Sequence, residues 1–194
     1  MSAMNSLTNR VTRRHAIGDR EIVVIDDLFD EPFTRMVHHY MSRLQFAMSG
    51  YDTPETKHAL HWSHEFDIGN PSSLPLIGEL FSTVLAVANE LYGSSALHLH
   101  RAHCNAHLYG DMQYPHTDLE PGATALYYVN HRWETNWLGE TIFYDDNREP
   151  LYAVAPKPGR LVVFSADIVH RGGVPSRECH EPRLTVAFKF FKQR

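Results

Sequence analysis

Three residues of this 194-residue chain have the types and spacing to hold a reactive metal: His116, Asp118 and His170. On an extended segment, residues two apart point the same way, so His116 and Asp118 can offer an imidazole and a carboxylate to one ion. The third ligand must come from elsewhere, and His170, at the end of the β-rich run Arg160–Val169, is the best candidate. Two histidines and one carboxylate leave open positions on an iron(II) centre, as oxygen chemistry requires. His-x-Asp alone is a common chance tripeptide. Its context adds weight, because Arg183 follows His170 and opens the apolar strand Leu184–Phe191. A cation inside a β core needs an anionic partner. A bound dicarboxylate would be one, through a bidentate guanidinium pair. Without the triad, Arg183 reads as a surface charge at a strand edge.

Such side chains need rigid elements to aim them. Glu21–Ile25 is a short β-rich run. Asp30 offers an N-cap and Pro32 falls in the first turn of a helix. Phe33, Met36, Val37, Tyr40, Met41 and Leu44 then form one apolar face. A second helix is expected from about Leu74 to Leu91, with Gly93 as its stop. Between them Ser49–Pro71 is polar, aromatic and interrupted by Pro54 and Gly69, fitting either a lid or an irregular strand pair. From about Leu97 the texture changes to short strands. Arg101, His103, Asn105, His107 and Tyr109 alternate with Ala102, Cys104, Ala106 and Leu108, so the two sets face opposite sides. Further strands are expected at Ala123–Val129, Glu140–Tyr144, Tyr152–Ala155, Leu161–Phe164, Ile168–Arg171 and Leu184–Phe191, punctuated by Gly110, Pro121-Gly122, Asn147 and Pro158-Gly159. Many short strands after two helices argue for a mainly β (α+β) domain, a sandwich or barrel with N-terminal packing helices. One domain over 1–194 is expected: a flexible lead-in over 1–20, a helical buttress and lid region over 21–96, and the β core over 97–194.

Composition narrows the partners. The formal net charge is -5, with both signs mixed along the chain, so nucleic acid and anionic membrane are not default partners. No apolar run approaches a membrane span. The basic N-terminal stretch lacks the apolar core of a secretion signal. Two cysteines, Cys104 and Cys179, cannot supply a disulfide framework, and a cytoplasmic location is the simplest expectation. Histidine is enriched, at 14 residues.

Together these residues resemble the prolyl-4-hydroxylase-like branch of the 2-oxoglutarate/iron(II) dioxygenase superfamily, over about residues 98–191. The resemblance is carried by Asn105-Ala-His-Leu-Tyr109-Gly-Asp, His116-Thr-Asp118, Ala125-Leu-Tyr-Tyr128-Val-Asn130 with Trp133, and Gly139-Glu-Thr141-Ile-Phe143. Pro158-Gly-Arg-Leu-Val-Val-Phe164, His170 and Arg183-Leu-Thr-Val-Ala-Phe188 complete it. Each is weak alone; in this order they are a strong signal. The resemblance implies a double-stranded β-helix (jelly-roll) core and a reaction using Fe(II), 2-oxoglutarate and O2. It also implies that 2-oxoglutarate meets the metal by its 2-oxo acid end and Arg183 by its distal carboxylate, with Tyr109, Tyr128 and Thr141 lining the cosubstrate pocket. Halogenases of the superfamily carry a small residue where Asp118 stands, so hydroxylation, or a related desaturation or ring closure, is implied instead. One departure is Leu138-Gly139-Glu140-Thr141 where the family usually has Gly-Gly-Glu-Thr; it should alter a turn and leave the metal site intact.

Other residues read less sharply. Asn105 and His107 share a face with Tyr109, and either touches substrate or supports a ligand through a hydrogen bond. Trp133 and Trp137 flank a loop, where packing outweighs substrate stacking. His58, His61 and His64 read as solvated loop residues or, alternatively, as edging the mouth of the site, and His98, His100 and His103 as strand-surface residues. Arg171 faces away from the cosubstrate.

The expected substrate is a small molecule, an amino acid or natural-product intermediate, giving succinate and CO2 as coproducts. The alternatives are hydroxylation of a protein prolyl-type side chain and a non-catalytic jelly-roll binding module. A zinc hydrolase lacks an obvious general base here, and cupin-type isomerases show a denser His-x-His cluster with a following glutamate.

Overall fold

The computed structural model describes residues 10–69, 75–93, 97–118 and 121–192. Two sheets and two helices form three layers. The large sheet has eight antiparallel strands in the order β1-β2-β9-β6-β11-β5-β4-β3. These are β1 Val11–Ile17, β2 Arg20–Ile25, β3 Ala47–Gly50, β4 His61–Glu65, β5 Leu97–His107, β6 Gly122–Tyr128, β9 Leu161–Ser165 and β11 Arg183–Lys192. The small sheet runs β10-β7-β8, from β7 Thr141–Tyr144, β8 Pro150–Val154 and β10 His170–Gly172. Helices α1 Glu31–Met41 and α2 Pro75–Leu91 cover the other face of the large sheet.

The period of two along the strands builds this layering. On β5, Ala102, Cys104 and Ala106 point to the helices, as do Leu184, Val186 and Phe188 on β11. They meet Val37 and Met41 of α1 and Leu80, Phe81, Val84 and Ala88 of α2 in the main core. The opposite face carries Ile22, Val24, Val162 and Phe164, which pack on Phe143, Val154 and Ile168 around the small sheet. Where the two sheets splay apart, the inward residues become polar, and the site lies there. The large sheet is therefore apolar on one face along its length and only half apolar on the other.

Both helices fall close to the predicted bounds. The Asp30 side chain accepts from the Phe33 N–H at 2.9 Å, capping α1. Gly93 ends α2 at φ +59; the predicted start at Leu74 lies outside the described residues. One expectation changes, and Ser49–Pro71 takes the second of its two readings, an irregular strand pair. Residues 1–20 do not all form a flexible lead-in: Val11–Ile17 is β1, pairing with β2 through the Gly18 turn and forming one edge of the large sheet. Its own face is largely exposed and polar, which hid it in the sequence; residues 1–9 lie outside the described residues. Ser49–Pro71 contains β4 and the end of β3, which extend the same sheet beyond β5. The 21–96 region therefore contributes strands to the β layer as well as helices, and residues 70 and 71 lie outside the described residues. No helix among the described residues is long and apolar enough to cross a membrane.

Candidate metal centre

The three sequence-predicted ligands come together. His116, Asp118 and His170 each present a ligand atom, and these atoms all lie within 4.8 Å of one another. Backbone pairing fixes them: His116 N–H donates to the His170 carbonyl at 3.0 Å, and His170 N–H donates back at 2.9 Å. The Asp118 N–H donates to the Ala166 carbonyl at 2.7 Å. The two imidazoles thus stand side by side as cross-strand partners, with ring centroids 4.6 Å apart.

Each ring has one tautomer available for metal. His116 Nδ1 lies 2.8 Å from the Tyr114 carbonyl and His170 Nδ1 lies 3.0 Å from the Ile168 carbonyl. A carbonyl only accepts, so both Nδ1 atoms carry hydrogen and both Nε2 lone pairs are free. The Nε2 atoms lie 3.7 and 3.6 Å from the Asp118 carboxylate oxygens. Burial pulls the His170 pKa down to about 3, against the opposing pull of Asp118, so this imidazole is neutral at ordinary pH. Burial alone would raise the Asp118 pKa, but Lys189 foremost holds it well below the usual carboxylate range. Asp118 Oδ2 accepts from the Thr124 hydroxyl at 2.5 Å, and Oδ1 lies 2.5 Å from Lys189 Nζ.

Arg183 lies at the far end of the same cavity and is 1% exposed. Its Nε donates to the Gly139 carbonyl at 2.6 Å and its Nη2 to the Thr141 hydroxyl at 3.0 Å, both neutral acceptors. Burial lowers its pKa. Tyr128 OH lies 2.7 Å from Thr141 Oγ1 and donates to the Val154 carbonyl at 3.1 Å. Donation therefore runs from Arg183 to Thr141 to Tyr128 to the backbone. Gly139, at φ +81, is required here, because a Cβ would lie 3.0 Å from Arg183 Cδ and 3.2 Å from Trp133 Cζ2. At Gly172 a Cβ would stand 2.2 Å from Gln113 Oε1, which accepts the Gly172 N–H at 2.8 Å, so a larger residue would turn the Gln113 side chain aside.

The predicted cosubstrate residues separate. Thr141 lines the cavity. Tyr128 lies behind it, its ring 5.3 Å from the Arg183 guanidinium carbon, and so supports the arginine. Tyr109 is a correction: it is 57% exposed, outside the cavity, with its hydroxyl 3.3 Å from Arg177 Nη2. Strand β5 ends at His107, and the turn Leu108–Asp111, closed by the Asp111 N–H to the Leu108 carbonyl, breaks the alternation that put Tyr109 with Asn105.

Asn105 lines the cavity, and its Oδ1 is buried without a hydrogen-bond partner among the described residues. His107 is buried beside His61, ring centroids 5.2 Å apart, and faces Arg183 across the β5–β11 register. Trp133 donates Nε1–H to the Leu138 carbonyl at 2.8 Å and stacks edge-on with Trp137, which places it in the loop behind Gly139. His103, expected on the surface, and His61, read as solvated or else at the mouth of the site, are 6% and 3% exposed and line the cavity, because β4 and β5 are flanked by β3 and β11. Sequence reasoning also passed over Thr124, Gln113, Asp52 and Lys189. Asp52 Oδ2 accepts the Tyr114 N–H at 2.6 Å and so steadies the segment leading to His116.

The model for the 2OG-Fe(II) oxygenase superfamily matches residues 93–191. No curated protein matches the chain in sequence. Among solved structures, a prolyl-4-hydroxylase from Pseudomonas putida is similar with TM-score 0.65 and 16% identity, over 89% of this chain and 92% of that one. A prolyl hydroxylase from Trichoplax adhaerens, solved with a hypoxia inducible factor peptide fragment, gives TM-score 0.65 and 15% identity over 88% and 83%. EctD from S. alaskensis, solved with 2-oxoglutarate and 5-hydroxyectoine, gives TM-score 0.62 and 14% identity over 98% and 76%. At such identities the likeness is one of fold, the expected jelly roll.

Proposed function

From the premise that the chain belongs to the 2OG-Fe(II) oxygenase superfamily, an enzyme family working with Fe(II), 2-oxoglutarate and O2, we propose that it hydroxylates an unactivated C–H bond of a small molecule. The substrate class is an amino acid or natural-product intermediate, with succinate and CO2 as coproducts. Fe(II) is held by Nε2 of His116, Nε2 of His170 and the Asp118 carboxylate, and the distal carboxylate of 2-oxoglutarate by Arg183.

The observation that carries the reading is the state of Arg183. The fully buried guanidinium donates to a carbonyl and a hydroxyl and has no carboxylate in ion-pair distance among the described residues, so it is an incomplete ion pair. Its Nη1 lies beside Gly172, and both residues line the cavity. A dicarboxylate that also reaches the metal ligands fits both ends of this cavity. When bound, iron and 2-oxoglutarate supply the oxidising power that these side chains lack. The chain does the positioning. Tyr114 and Ile168 carbonyls hold the two histidine tautomers, Thr124 turns the Asp118 carboxylate, and Thr141 with Gly139 aims the guanidinium.

The small-molecule reading is supported by the polar lining of the cavity. His61, His103 and Asn105 bring buried polar atoms to it that have no partner among the described residues. Such atoms favour a ligand rich in hydrogen-bonding groups.

Anaerobic titration of the protein with Fe(II) and 2-oxoglutarate tests the reading. A weak visible charge-transfer band should appear, and oxygen should then yield succinate. An Arg183→Met protein that forms the band at the same 2-oxoglutarate concentration would overturn the assignment. Mass-spectrometric screening for +16 products separates small molecules from peptides.

A further inference from the structure

We propose that Lys189 is the specificity residue for substrate, anchoring a carboxylate of the small molecule on the side of the metal ligands opposite Arg183. This rests on the reading of the site as that of a 2-oxoglutarate oxygenase. Arg183, Thr185, Ala187 and Lys189 alternate along β11 and all line the cavity. One strand thus brings two cations to one cavity, about 20 Å apart along the chain at the usual rise per residue. Arg183 marks the end that takes the cosubstrate. Lys189 marks the other.

Lys189 has donors to offer there. Its side chain is 13% exposed, and its Nζ bonds Asp118 Oδ1 at 2.5 Å. An ammonium has three N–H donors and no acceptor. Its register partner Arg101 is already paired, with Nε 3.0 Å from Glu65 Oε2 and a second bond to the same carboxylate. Lys189 is therefore the cation at this end whose only acidic partner among the described residues is a candidate metal ligand. Once that carboxylate faces a dication, the ammonium beside it is repelled by the dication, and a second anion next to Nζ relieves the repulsion. His103, with its Nδ1 unpartnered among the described residues, lines the same end and can donate to or accept from the same ligand. A carboxylate fits this end better than a neutral amide, because an amide cannot balance the charge.

The test uses anaerobic protein saturated with Fe(II) and 2-oxoglutarate, dialysed to equilibrium against the L-amino acids and against their primary amides. At least one acid should bind, its amide about tenfold or more weakly. Lys189→Met should erase that preference, while Lys189→Arg, which keeps the charge, should retain it. Equal binding of acid and amide, no binding of any acid, or a preference that survives in Lys189→Met each overturns the proposal. If Lys189→Met fails to fold, the wild-type comparison and Lys189→Arg decide. The charge-transfer band separates the two levels of argument. A band without acid preference removes the role of Lys189 and leaves the oxygenase reading, whereas no band in the wild type removes both.

Discussion

Arg183 Nη2 reaches the Thr141 hydroxyl at 3.0 Å, and that hydroxyl is in turn 2.7 Å from Tyr128 OH. The arginine that opens β11 is thus steadied by the first residue of β7, on the facing sheet. Thr141→Val keeps the shape and removes the acceptor. We expect 2-oxoglutarate affinity to fall about tenfold, the loss of one charge-assisted bond, with Fe(II) affinity unchanged. Tyr128→Phe removes the hydroxyl behind Thr141 while keeping the ring beside the guanidinium, and should cost less. Anaerobic titration of each variant with 2-oxoglutarate measures both.

Asp118→Ala removes the one anionic ligand of the triad and leaves Lys189 without its carboxylate. Oxygen-dependent succinate formation should disappear, and Mn(II) binding followed by electron paramagnetic resonance should weaken at least tenfold. Full turnover in this variant would sink the ligand assignment.

Tyr109→Phe should leave 2-oxoglutarate affinity within about twofold of the wild type. The hydroxyl touches Arg177 outside the cavity, and exposed contacts of this kind contribute little. A tenfold loss would mean that the turn Leu108–Asp111 closes over the cosubstrate after all.

Leu138 adopts φ 55 and ψ -141, a conformation that glycine enters freely and a leucine only under strain. The resembled family usually has glycine at this position, which here follows the 3-10 helix Thr135–Trp137. The leucine is 48% exposed, so little burial is lost on its removal. Leu138→Gly should stabilise the protein by about 1 kcal/mol, seen as a rise of roughly 2–4 °C in Tm.

Burial pushes the pKa of His103 and His107 well below the ordinary 6.5, with Lys189 acting the same way on His103 and Arg183 on His107. The unfolded chain therefore binds more protons than the folded one below about pH 6.5. Above that pH these groups have no effect. Below it each lowers stability by up to about 1.4 kcal/mol per pH unit, until the imidazole protonates in the folded state. Urea unfolding of metal-free protein at pH 7 and pH 5 should show the loss, and His107→Leu should make the pH dependence shallower.

Part of the site was legible from spacing: His116 and Asp118 are two apart on extended backbone and so face the same way. Spacing alone left them a chance tripeptide and Arg183 a strand-edge charge, and the ordered set of motifs gave them weight as ligands. Lys189 was equally readable, since it shares the odd-numbered face of Arg183, but a charge near a strand end also reads as solvated. His61 and His103 were misplaced because burial depends on which strands flank β4 and β5, and that is a property of topology. Tyr109 failed for the opposite reason: a period of two was carried past the end of β5. The strand β1 was missed because an edge strand with one polar face carries little hydrophobic pattern.

β11 works as a ruler. Because its side chains alternate, the distance and direction from Arg183 to Lys189 are set by backbone rise and not by any loop. The connection 173–182 could therefore gain or lose residues during divergence while the Arg183 and Lys189 ends of the cavity stayed aligned. What it could not tolerate is a one-residue slip of the strand, which would swing both cations into the apolar layer under the helices at once.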